Sequence, residues 1–328
     1  MKRLSAVLLA SLVHLLTLAF AVLGASAILR EPGSFVSWVI GAPLLAIGWA
    51  LRPRLGRLPA DAEVLDRSAA PELYGAAARV ADRVGVPPPG KVAVRDLATE
   101  TRYERVGLAR TPVLVVGLPL WLALPPTLRA ALLATAYARR PTGGERLVGE
   151  ALNTLESWRD ALLDSAAPLK VRQEAQTAIT ASSLGVAHQP GTAYEVAGFI
   201  GRLFGRVLGG PVLLMQYALT RLAGADECRA EARRRALALR AVAEAELARL
   251  EQLVAGGGYL APMQAAALRG ESVTSIRQGA LARFRLTADG VLTAPPGSEL
   301  IGAGESELID QELRAHYSRA IRGFGLIS

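Results

Sequence analysis

Residues 118–139 read Leu118-Pro119-Leu120-Trp121-Leu122-Ala123-Leu124-Pro125-Pro126-Thr127-Leu128-Arg129-Ala130-Ala131-Leu132-Leu133-Ala134-Thr135-Ala136-Tyr137-Ala138-Arg139. The stretch predicts a helix over Thr127–Arg140 that follows closely on a strand, Pro112-Val113-Leu114-Val115-Val116-Gly117. Positions 135 and 139 are one turn apart and share a helix face. Working outward, Pro71-Glu72-Leu73-Tyr74 opens a helix that runs to Val84-Gly85-Val86-Pro87, and Lys91–Asp96 reads as a short strand. This order predicts a mainly α protein with a small β-sheet, of the α+β class.

The same residues resemble the HtpX-like and CAAX-prenyl-protease-like membrane zinc metallopeptidases. That family shares the order of helix, strand and strand, and approaches its zinc helix as G-L-P-L-L-x-x-L-x-P-x-x-L-R-A-L-L-A-H-E-x-x-H. The resemblance covers residues 60–250 and implies a zincin-like fold attached to an N-terminal transmembrane hairpin. Such a helix places two imidazoles on one face with a glutamate beside them as general base. Here the motif positions hold Thr135-Ala136-Tyr137-Ala138-Arg139, which supply neither. A shift of register does not help, because the three histidines, His14, His188 and His316, have no partner four residues away. The family's third ligand, a glutamate, aligns with Gly224, or with Asp226 or Glu227 if the register slips. The family would carry zinc; the residues here predict that it is absent. The relic positions are therefore Thr135, Ala136, Arg139 and Gly224.

The mean hydropathy of +0.29 is high for a soluble protein. Ala6–Leu29 and Ser34–Leu51 are free of charged residues, and a bilayer core needs about 20 apolar residues as helix. Arg30-Glu31-Pro32-Gly33 links the two runs, giving a helical hairpin over residues 1–57. Lys2 and Arg3 before it and Arg52, Arg54 and Arg57 after it put both ends in the cytoplasm by the positive-inside rule. The expected location is a bacterial inner membrane, multi-pass, with the main domain cytoplasmic. Ala25-Ser26-Ala27 also fits a signal-peptidase site, the rival reading.

Residues 58–258 are then the metallopeptidase-like domain and 259–328 a C-terminal extension. Within them, residues 146–166 read as a helix with Leu147, Ala151, Leu155, Trp158 and Leu162 on one stripe, and Ser182–Thr192 as a loop. Residues 194–219, with Gly201, Gly205 and Gly209 at helical spacing, read as buried or interfacial, and a third span is the alternative. Glu227–Ala255 reads as one long helix, stopped by Gly256-Gly257-Gly258. Ala282–Ala294 reads as a hairpin or a loop, and Glu305–Gly323 as a final helix with acid first and base last.

The net charge of +8 does not mark a nucleic-acid binder. Its arginines are scattered or interleaved with glutamate, with no aromatic-basic stripe. The single cysteine, Cys228, excludes an internal disulfide. His14 reads as a helix-contact residue, His188 as a loop residue and His316 as part of the last helix. Arg139, followed by Arg140, either replaces the lost cation by pairing with an acid such as Glu227 or simply ends its helix. Together these features predict a membrane-anchored pseudopeptidase without catalysis. It would bind a peptide, a protein partner or an active paralogue by strand addition along Val113, Leu114, Val115 and Val116. An active zinc endopeptidase with displaced ligands and a membrane scaffold are the alternatives.

Overall fold

The computed structural model describes residues 2–50, 56–107, 109–163, 209–285 and 299–324. His188, the loop at Ser182–Thr192, Gly201, Gly205 and Leu286–Ala294 lie outside the described residues. In chain order the first elements are α1 (Lys2–Arg30), α2 (Phe35–Ala50), β1 (Ala62–Leu65), α3 (Pro71–Val84), β2 (Lys91–Arg95), β3 (Arg102–Val106) and β4 (Thr111–Gly117). Next come α4 (Leu118–Ala123), α5 (Pro126–Ala138), α6 (Gly143–Leu163) and a helix over residues 209–224, here α7. The last are α8 (Glu227–Ala238), α9 (Glu244–Gly256), α10 (Leu260–Leu268), α11 (Val273–Arg285), α12 (Ala303–Glu312) and α13 (Arg314–Phe324). The chain forms two compact units, one from Met1–Arg54 with Pro141–Cys228, the other from Leu55–Arg140 with Arg229–Ser328.

The first unit is helical. α1 and α2 form a hairpin whose backbones meet at glycines: a Cβ on Gly24 would lie 2.6 Å from the Leu45 nitrogen, and one on Gly41 2.8 Å from the Gly24 oxygen. Small residues at such a crossing let helices approach to backbone contact. Ala6, Ala10 and Val13 of α1 are buried with Val148, Ala151 and Leu155 of α6 and with Val212 and Leu219 of α7. Leu147, Ala151, Leu155 and Trp158 of the expected stripe on α6 thus pack in this cluster, and Trp158 meets Phe20 with ring centroids 5.8 Å apart. The opposite faces of α1 and α2 are bare, with Leu4, Leu8, Leu12, Leu15, Phe35 and Trp49 exposed. Leu4–Arg30 is long and apolar enough to cross a membrane, while Phe35–Trp49 is a shorter apolar helix.

The second unit is mainly helical around a mixed four-stranded sheet in the order β1-β2-β4-β3. β2 and β4 pair in parallel, and β1 and β3 flank them antiparallel. β2 and β4 are apolar on both faces because both faces are covered. Val92, Val94, Leu114 and Val116 enter the main core, whereas Ala93, Val113 and Val115 meet Leu58, Ala62 and Val106 on the other side. The sheet expected from β2 and β4 alone therefore has two more strands, both charged and at its edges. Tyr74 on α3 ties β1 to β2: its hydroxyl donates to the Leu65 carbonyl at 3.0 Å and accepts the Val92 N–H at 2.8 Å.

α3 begins without a side-chain cap of its own at Ala70. Glu312, at the end of α12, takes that role, accepting the N–H groups of Glu72 at 2.8 Å and Leu73 at 3.1 Å. A carboxylate there satisfies two orphan donors and meets the positive end of the helix dipole. The expected single helix over Glu305–Gly323 is in fact α12 and α13, divided at Leu313. That break lets Glu312 face α3 while Tyr317 turns back to Asp310.

Two other expectations need correction. The long helix at Glu227–Ala255 is broken into α8 and α9, because Ala243 is extended and the Glu246 carboxylate accepts its N–H at 3.2 Å. Arg235 braces the bend by pairing with Glu244 and Glu251. The break changes the phase of the apolar stripe, so Leu247 and Leu250 are buried while Leu239 and Val254 are exposed. α9 does end at the glycines, with Gly257 left-handed. Ala282–Arg285 is the last turn of α11 rather than part of a hairpin.

A buried charged cluster joins α4, α5, α11, α12 and α13. Arg129 is fully buried; it donates to the Trp121 carbonyl at 3.1 Å and to Ser306 Oγ at 2.7 Å, and it pairs with Asp310. Its guanidinium also stacks over Trp121, 4.9 Å from the ring centroid. Arg277 donates from Nε to Asp310 at 3.1 Å and from Nη1 to the carbonyls of Leu122 and Leu124. The two arginines thereby satisfy carbonyls at the C-terminus of α4, where helical partners run out. Burial would raise the Asp310 carboxyl, but the two guanidiniums and the Tyr317 hydrogen bond outweigh it and hold it below its ordinary value.

Candidate functional site

β4 leads straight into α4, and the junction is Gly117. A Cβ there would lie 2.3 Å from the Ala98 oxygen and 2.8 Å from the Glu100 oxygen, so only glycine fits. Pro125 and Pro126 then restart the chain as α5, with a proline in its first turn as the missing N–H allows. α5 is buried along nearly its whole length, and Thr135 is its one partly exposed residue. Arg139, the C-cap, is exposed one turn later. Thr135 and Arg139 therefore share the face of α5 that opens to solvent.

Between them the helix is locked into the core. Ala136 is 2% exposed. Tyr137 donates from its hydroxyl to the Ala77 carbonyl at 2.9 Å and meets Tyr103 of β3 edge-on, centroids 4.9 Å apart. Burial raises the Tyr137 phenol, and Tyr103 adds to the shift, so it stays protonated. Thr135 Oγ1 donates back to the Ala131 carbonyl at 2.8 Å. A hydroxyl so engaged, a methyl group and a guanidinium offer no donor set for zinc, which needs imidazole, thiolate or carboxylate. No group at these positions can act as a base near neutral pH.

Gly224, Asp226, Glu227 and Cys228 belong to the helical unit, at the end of α7 and the start of α8. A side chain at Gly224 would meet nothing within 4 Å. Cys228 is exposed. His14 faces α6, with Nε2 3.4 Å from the Leu147 carbonyl. His316 Nδ1 lies 2.6 Å from an Arg319 nitrogen, and burial lowers its imidazole below the usual value, with Glu63 opposing. Among the described residues no three His, Cys, Asp or Glu side chains are grouped to hold a metal ion.

The strand expected to lie at a sheet edge does not. Val113, Leu114, Val115 and Val116 sit in β4, an interior strand hydrogen-bonded to β2 on one side and β3 on the other. An interior strand has no free ladder groups to offer a peptide. The free edges are β1 and β3. One end of the β3 edge is closed where the Gly107 N–H donates to the Gly56 carbonyl at 3.0 Å. The remaining part, Arg102–Glu104, has no second strand beside it among the described residues and includes Tyr103, the residue that packs against α5.

No protein-family model, curated protein or solved structure matches this chain.

Proposed function

We propose that this chain is a membrane-anchored, catalytically silent relative of the HtpX-like zinc peptidases, which holds an extended peptide or a partner's strand at the β3 edge beside α5. The observation that carries the reading is the pair Thr135 and Arg139, one turn apart on the open face of a helix whose next residues touch the edge strand. A zincin-like site needs that arrangement of helix and edge. Here it survives with side chains that bind no metal, which leaves recognition through backbone pairing and the Arg102 and Glu104 side chains. Leu4–Arg30 and Phe35–Trp49 supply the anchor as a two-span hairpin. The basic residues at its ends favour a cytoplasmic sheet-bearing unit in a bacterial inner membrane.

The test rebuilds the site in two steps. Thr135→His with Arg139→His should bind zinc weakly, as paired imidazoles on one helix face do. Either single variant, Thr135→His or Arg139→His alone, should bind at least tenfold more weakly than the pair, because one imidazole cannot clamp the ion. Equal affinity of the single and double variants would overturn the assignment, as would chelator-sensitive proteolysis by the unmodified protein.

A further inference from the structure

We infer that the open cavity lined by α4, α11, α12 and α13 binds a small organic anion, with its oxyanion head at Arg277 and its apolar body against Leu122 and Leu281. The cavity has a volume of about 480 Å³, within the range of small-molecule sites. The inference is independent of the peptidase reading, since neither the relic positions nor the sheet edge lines this cavity.

The charge balance of the wall carries the argument. Two buried guanidiniums, Arg129 and Arg277, face one carboxylate, Asp310. Both Asp310 oxygens are in use: Oδ1 accepts from Arg129 and from the Tyr317 hydroxyl at 2.8 Å, and Oδ2 accepts from Arg277. Tyr317 adds no negative charge, because burial raises its phenol and keeps it protonated. The carbonyls of Trp121, Leu122 and Leu124 contribute dipoles, not charge. At the mouth, Glu307 and Arg314 are both exposed and offset each other. One positive charge is left over.

That surplus has an accessible outlet. Arg277 is 9% exposed, and among the described residues its Nη2 has no hydrogen-bond partner, while Nε and Nη1 are fully engaged. Burial and the neighbouring Arg129 depress the Arg277 guanidinium to about 10, with Asp310 opposing, the direction expected of an under-compensated cation. Gln278 and Gln311, exposed at the rim, add neutral amide donors. An oxyanion at Nη2 would restore neutrality through a charge-assisted hydrogen bond in a low-dielectric wall. The apolar side chains across the cavity select for an organic tail over a bare ion.

The probe is 4-fluorobenzoate, titrated into the full-length detergent-solubilised protein and followed by fluorine NMR line broadening. Saturable binding in the millimolar range or tighter is expected, with 4-fluorobenzyl alcohol and 4-fluorobenzamidine binding at least tenfold more weakly. The variant Gln278→Glu with Gln311→Glu changes only exposed side chains and leaves Arg129, Asp310 and Arg277 in place. It should weaken benzoate binding at least tenfold while the melting temperature stays within a few degrees. Absence of saturation by about 10 mM overturns the inference, and so does equal binding of the alcohol or the amidine. Undiminished binding by the folded double variant places the probe elsewhere and also overturns it.

Discussion

Helix α5 buries every side chain from Pro126 to Ala134, whereas α1, equally apolar, leaves Leu4, Leu8, Leu12 and Leu15 at the surface. The difference lies in their companions. α5 is enclosed by α3, α9 and β3, while α1 is covered by α2 and α6 on limited faces. A helix apolar on every side requires an apolar solvent, and a protein core and a bilayer both qualify. Composition is alike in the two helices, and packing separates them: α5 is enclosed by protein, and α1 keeps an exposed apolar face. The buried helix also carries the cost of its setting: its one charge, Arg129, needs a partner at every nitrogen, while α1 carries no charge between Arg3 and Arg30.

The largest expected effect tests the enclosed side of this comparison. Asp310→Ala leaves two buried guanidiniums without a counter-ion and should destabilise the sheet-bearing unit by about 3–5 kcal/mol. The measurement is urea unfolding read from Trp121 fluorescence, with the other tryptophans replaced by phenylalanine. Because the folded Asp310 carboxyl is held below its ordinary value, its stabilisation is present above the unfolded pKa near 3.9 and is lost as pH falls through the folded one. Asp310→Asn should flatten that acid-side slope. A full slope in Asp310→Asn would show that other carboxylates govern it.

An intermediate effect is expected at the hairpin. Gly24→Leu forces a side chain against the Leu45 and Gly41 backbones, which cannot step aside as a flexible side chain would. A loss of about 1–3 kcal/mol in the helical unit is expected, seen as a lower melting temperature by circular dichroism, with the Trp121 transition unmoved. A matching shift in the Trp121 transition would mean that the two units unfold together. The smallest effect on folding belongs to the bare face: Leu12→Ser should change stability by less than about 0.5 kcal/mol. The same change should reduce the fraction sedimenting with liposomes, whereas Leu128→Ser, inside α5, should do the reverse. Leu12→Ser leaving liposome binding intact would break the proposed link between that face and lipid.

The parts of this fold that could be read from sequence are those whose pattern and burial agree. β2 and β4 are continuous valine-rich runs, α3 is bounded by Pro71 and Gly85, and α5 follows the strand as expected. β1 and β3 were hidden because edge strands carry charge, here Glu63, Arg102, Glu104 and Arg105, which suits an edge but masks alternation. Without β3, β4 reads as an edge, whereas the structure makes it an interior strand. The α8–α9 break was hidden because its cap residue, Ala243, has no capping side chain and relies on Glu246. The cluster of Arg129, Arg277 and Asp310 was out of reach for a different reason: its members come from three helices far apart in the chain, and no local spacing announces them. At Thr135 and Arg139 the residue types are plain in the sequence, and what the fold adds is that the two share the open face of α5.

The cap that Glu312 places on α3 also sets an order in time. The sheet and α5 emerge early from the ribosome, yet α3's capping carboxylate, the Asp310 counter-ion and Arg277 all arrive much later, after the whole helical insert has been made. At typical synthesis rates of 5–20 residues per second, the delay between Arg140 and Phe324 is roughly ten to forty seconds. Throughout that interval α5 presents its leucines, and Arg129 its unmatched charge, without their final partners. The last two helices are therefore the clasp that completes the core around α5.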